Sequence, residues 1–144
     1  MITHTVQANN VIKWIDSLKD FKKGVNTLGS NEPDEDDNGD YPTKYCCLGV
    51  ACRVFDIEPQ NGWSWGIEVS LLDKLGLHTY EGTFMDPQTN KKVLVKGMDS
   101  LTRMNDNLFG KDETFTRVED FILEHLEVIF IPPVVEKLIE YYGE

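Results

Sequence analysis

Tyr45-Cys46-Cys47-Leu48-Gly49-Val50-Ala51-Cys52 gathers all three cysteines of the chain into one apolar run. Thiol chemistry is the first reaction such a run suggests. Cys46 and Cys47 fall at the expected start of a helix, where free amides and the helix dipole favour a thiolate. A cysteine nucleophile also wants a base, and His4, His78 and His125 are all remote in sequence. Zinc ligation asks for spacings such as Cys-x-x-Cys, whereas the spacings here are one, five and six, so no metal is expected on these thiols. The competing use is packing, since free cysteine is among the most buried residue types. An odd number of cysteines, two of them adjacent, excludes a complete set of internal disulfides and suits a reducing cytoplasm.

Three other constellations carry polar or aromatic chemistry. Trp63 and Trp65 flank Ser64 between Gly62 and Gly66. In an extended segment both rings would point to one side, as a platform for stacking a base or sugar, which Tyr41 and Tyr45 could extend. The bland alternative is core or lid packing. Asn105-Asp106-Asn107 falls where a helix should end; such residues commonly cap and turn, and their amide and carboxylate groups also suit a ribose or base edge. Asp34, Asp36, Asn38 and Gly39 match the first half of a calcium-loop pattern. The second half fails, with Tyr45 standing where a bidentate glutamate is required and Pro42 at the ninth position. No Gly-rich phosphate loop, Ser-His-Asp pattern, paired metal carboxylates or deaminase signature is present, so no cofactor is expected.

The elements that must position these residues follow from periodicity. Val11, Ile12, Ile15 and Leu18 recur at helical spacing, predicting a first helix over about 7–20 with Trp14 on or beside its apolar stripe. An acidic, flexible loop is expected at about 30–44; residues 31–44 hold six acidic side chains and two prolines. The second helix is expected from near Tyr45 to Pro59, burying Leu48, Val50, Ala51 and Val54. Gly49 inside it costs about 1 kcal/mol against alanine, so a close crossing or a close ligand is expected there. A short helix over Ile67–Leu75 should stop at Gly76. Residues 78–84 and 91–96 are predicted to form a β-hairpin about the Asp86–Asn90 turn. Further helices are expected at Asp99–Asn107, from Thr114–Thr116 with a Thr116/Glu119 capping box, and at about 132–143 after Pro132-Pro133. With 144 residues the sum is one domain, 1–144, of α+β class: mostly helical, with a small antiparallel β-hairpin.

Charge narrows the partners. With 25 Asp and Glu against 14 Lys and Arg, the formal net charge of −11 repels phosphate backbones and anionic lipid. Nucleic acid and membrane are therefore not expected as partners, although a small anion in a local pocket of basic groups remains allowed. The same acidity also suits a soluble protein with no charged partner at all, or one drawn to a basic protein. The first residues lack a basic segment leading into an apolar run, so no signal peptide is expected.

Taken in order, the motifs resemble a family of small proteins encoded by tailed bacteriophages and prophages. Members look like W-x-x-x-L…Y-x-Q-G…L, then YCCLGV-x-C, a V-x-x-W-L-G-L segment, L-x-x-L-N-D and F-x-x-I-A-D-x-I-E. Here Trp14, Leu18, Phe21, Gly24 and Leu28 supply the first block, followed by Tyr45–Val50 with Cys52 and by Leu71–Leu77. Met104-Asn105-Asp106 and Phe115–Ile122 complete the series, so the likeness runs from residue 14 to about 126. Lys23 replaces the usual glutamine and Lys74 the usual tryptophan, and the acidic loop and the tail after Leu126 look like additions. If the replaced residues touch a ligand in relatives, the ligand differs here. The resemblance implies a phage protein acting in the bacterial host cytoplasm and brings no established reaction with it.

The functional expectation is a counter-defence protein that sequesters a small nucleotide-derived immune signal without catalysis. Tyr45, Trp63 and Trp65 would stack on a base, Asn105 and Asp106 would read ribose or base, Lys23 or Arg103 would meet phosphate, and Cys46 would line the site. A homodimer is common for such proteins, although no interface is readable in the chain. The alternatives are an acidic inhibitor that occupies a basic site on a host protein through residues 32–40, and a cysteine-dependent enzyme.

Overall fold

In a computed structural model of the chain, residues 3–30, 42–60, 62–63 and 68–143 are described. Helix α1 covers His4–Ser17 and tightens into a 3-10 turn at Leu18–Asp20. Thr3 caps it, its hydroxyl accepting from the Val6 amide at 3.2 Å. Most of the apolar stripe read from the sequence is the buried face: Val11, Ile15, Leu18 and the neighbouring Trp14 are sealed from water, while Ile12 is half-buried at its edge. That face packs on α2 (Cys47–Val54), α3 (Leu71–Leu75) and α7 (Pro132–Tyr142). The Trp14 indole N–H donates to the Cys47 carbonyl at 2.8 Å, so a buried polar contact also fixes α1 against α2.

The sheet is a two-stranded antiparallel pair, β1 (Gly29–Ser30) with β2 (Lys44–Tyr45), in the register Gly29 to Tyr45 and Ser30 to Lys44. It joins the two ends of the acidic segment. The hairpin expected over 78–84 and 91–96 is instead a chain folded back twice. One turn pairs Met85 with Lys92, and the Phe84 carbonyl accepts from the Val93 amide at 3.0 Å. A second turn follows at Lys96 and Gly97, both at positive φ, and closes Val95 on Met98. This early reversal keeps the ladder from growing into strands. Phe84, fully buried, anchors the excursion to the core.

The remaining helices surround the same core. α3 ends where expected, with Gly76 in the left-handed region at φ +67°. The helix foreseen at 99–107 is one short helix, α4 (Leu101–Arg103), running into a single π-helical turn at Met104–Leu108. α5 (Thr116–Glu124) lacks the capping box: Thr116 is its first helical residue, and the fully buried Phe115 takes the cap position with its carbonyl accepting from Glu119. Burying that ring sets where the helix starts. His125 breaks the chain before α6 (Leu126–Ile129), and Pro132 opens α7. The Ile131 amide donates to the Gly76 carbonyl at 2.9 Å, tying the exit of α3 to the α6–α7 junction. The molecule is thus an α+β domain, helical for the most part, with one small sheet. Among the described residues no helix is long and apolar enough to cross a membrane.

Candidate functional site

Three stretches far apart in sequence, 22–28, 45–49 and the π-helical turn, meet at the start of α2. Residues 22–24 run beside Tyr45, whose amide donates to the Lys22 carbonyl at 2.9 Å while its own carbonyl accepts from Gly24 at 2.7 Å. Leu28 contributes its carbonyl, which accepts from the Cys46 amide at 3.2 Å. The same carbonyl explains Gly49, since a β-carbon there would sit 1.8 Å from it. The close approach expected at this glycine is therefore made by the protein's own backbone. The π-helical turn supplies Asn105, fully buried. Its carbonyl oxygen accepts from the Cys47 amide at 3.1 Å, and its amide nitrogen donates to the Gly24 carbonyl at 3.0 Å and to Asp106 at 2.9 Å. Cys46 is the N-cap of α2, its sulfur accepting from Gly49 at 3.3 Å. The amides that a helix start leaves over are thus taken up by Asn105 and Cys46.

All three thiols are free and buried. Burial pushes Cys46 and Cys52 up to about 12 and Cys47 well above its usual value. For Cys46 the Gly49 and Leu48 amides and Lys23 oppose that rise without reversing it. These are buried thiols, protonated at neutral pH.

Two of the aromatic residues, Tyr45 and Trp63, pack against each other. Tyr45 is buried between Phe21 and Trp63 in edge-to-face contacts, with centroids 5.4 and 5.6 Å apart. Its hydroxyl donates to the Pro42 carbonyl at 2.7 Å and accepts from Arg53 at 3.2 Å. Trp63 is half-buried on that ring, while Trp65 and the half calcium pattern at 34–39 lie outside the described residues. Arg103 is exposed and pairs with Asp99 at 3.4 Å, which Lys92 also meets at 3.0 Å. The structure thus brings together Lys23, Tyr45, Cys46, Trp63, Asn105 and Asp106, and places Arg103 in a separate ion-pair group.

Beside this corner opens a cleft of about 270 Å³, walled by residues 23–25, Ser30 of β1, Lys44 of β2 and the turn at 110–113. Three lysines line it, Lys23, Lys44 and Lys111. Lys23 is only 3% exposed, and its ammonium makes no hydrogen bond among the described residues. Burial lowers its pKa, against the opposing pull of Cys47, Asp106, Asp112 and Cys46. Asp112, also in the lining, is gripped by Arg117 through two hydrogen bonds of 2.9 and 2.6 Å, which hold its carboxyl below the usual range. A larger hollow of about 470 Å³ lies between α1 and α7, but every polar side chain lining it is exposed. Lys44 and Lys111 are not legible in the sequence: they stand 67 positions apart, and neither stands in a recognisable motif. Comparison of the chain with protein-family models, curated proteins and solved structures finds no match.

Proposed function

We propose that this chain acts by binding rather than by catalysis, holding a small nucleotide-derived ligand as a phage counter-defence protein that sequesters an immune signal in the host cytoplasm. The single observation behind the binding reading is the cleft: three lysines, one of them buried, line a hollow in a protein of formal net charge −11. A local positive field on an acidic surface suits a small anion and disfavours a long polyanion. The protonated thiols support the non-catalytic half of the proposal. The counter-defence role rests on the resemblance to phage proteins. At about 270 Å³ the cleft lies just below the size of typical ligand pockets, roughly 300–1,000 Å³, so it takes part of a nucleotide and leaves the rest over its rim.

A thermal-shift and calorimetric screen against cyclic dinucleotides, ADP-ribose and its cyclic forms, and NAD tests this. A ligand at a hundred times its Kd adds about 2.7 kcal/mol to stability, which a melt resolves. Binding of one of these classes without turnover is the expected result. Absence of binding across the whole panel overturns the nucleotide reading.

A further inference from the structure

We infer that the cleft is a phosphate-binding site in which Lys23, Lys44 and Lys111 hold the oxyanion, so that a ligand enters it phosphate first. The inference deepens the binding reading above and rests on it for the rest of the ligand. Lys23 carries most of the weight. A lysine ammonium buried without a hydrogen-bond partner is costly to a fold, and an anion that draws it toward the cleft offsets that cost. The neighbouring carboxylates already have partners: Asp112 is held by Arg117, and Asp106 accepts from Asn105. Glu113 stands exposed on the rim, where water screens it. Lys44 and Lys111 approach from different walls, β2 and the 110–113 turn, so an oxyanion between them is held from more than one side. The Lys23 amide donates to the Glu113 carbonyl at 3.1 Å, which ties the 23–25 wall to the 110–113 turn.

A proton follows the ligand. The groups that act electrostatically on the Lys23 ammonium are Cys46 and Cys47 from α2, Asp106 from the π-helical turn and Asp112 from the cleft wall. With burial lowering its pKa, Lys23 gains a proton more readily once a divalent oxyanion sits beside it. Affinity for sulfate, which does not itself titrate in this range, therefore falls as pH rises toward the ordinary lysine value.

The test is titration of the full-length ¹⁵N-labelled protein with inorganic phosphate, pyrophosphate and sulfate, read from amide shifts. Shifts confined to residues 23–25, 30, 44 and 110–113 are expected. The Lys44→Ala and Lys111→Ala variants, whose side chains are not in the core, should each bind about tenfold more weakly or worse. Lys23→Met should lose binding, with a melting curve confirming that it is folded. Shifts scattered elsewhere, or unchanged affinity in a Lys44→Ala/Lys111→Ala double variant, overturn the site. If phosphate binds through the lysines while every signal nucleotide fails, the site stands and the nucleotide reading falls. If a nucleotide binds undiminished by the double variant, the site falls and the nucleotide reading stands.

Discussion

The start of α2 and the cleft beside it share the 23–24 segment, yet they treat their polar groups in opposite ways. At the helix start the Cys47 and Gly49 amides, the Asn105 side chain and the Gly24 carbonyl all pair within the fold. In the cleft, Lys23 keeps a buried ammonium with no hydrogen bond among the described residues. The first region carries the motif that catches the eye in the sequence, and it is architecture. The second has no motif, and it holds the charge left over after folding. The proposed binding site sits where the fold has not used up its own polar groups.

The contrast breaks most visibly at Gly49. Its replacement by alanine drives a methyl into the Leu28 carbonyl and should cost about 4 kcal/mol or more, at the exceptional end for one substitution, in a urea melt. A mild effect would mean the helix start is not the close-packed junction described. Asn105→Ala comes next. It strands the Cys47 amide and the Gly24 carbonyl and empties a buried volume, for a loss of about 3 kcal/mol by the same measurement.

The thiols sharpen the comparison through pH. Their folded pKa values lie above the ordinary 9.0, so their contribution to stability is whole below pH 9 and is lost as pH rises toward about 12. Lys23 has the opposite sign: its folded pKa is depressed, so its penalty fades as pH approaches 10.5. Cys52→Ala should therefore flatten the fall in stability between pH 9 and 12. An unaltered slope would show that this thiol ionises freely. The smallest effect is expected on the cleft side, from Arg117→Ala. Arg117 reaches Asp112 from the surface, where water screens the pair, so its loss should barely move the melt. The freed Asp112 carboxylate should nonetheless weaken phosphate binding measurably.

Much of the frame was legible in the chain because it depends on local pattern. The α1 stripe, the Gly76 stop, the proline start of α7 and the strain at Gly49 are each written within a few residues. Less legible was whatever depends on distant partners. The Asp86–Asn90 turn was in the pattern, but the second reversal at Lys96-Gly97, which halts the ladder, was not. Asn105 stood out as a polar residue at a helix end, while its task of holding Cys47 and Gly24 needs contacts spanning 58 and 81 positions. Lys23 stood out only as a departure from a resembling pattern. It meets Lys44 through the parallel run of 22–24 along Tyr45 and Lys111 through the backbone bond from Lys23 to Glu113.

The most direct test of whether the cleft holds a cation reserved for a ligand is the melting temperature of Lys23→Met without ligand. Replacing an ammonium that lacks a partner by a thioether of similar length should raise stability by about 1 kcal/mol or more, near 4 °C for a domain of this size. A melting temperature that falls instead would mean that Lys23 is a structural lysine, and the cleft would lose its claim as a binding site.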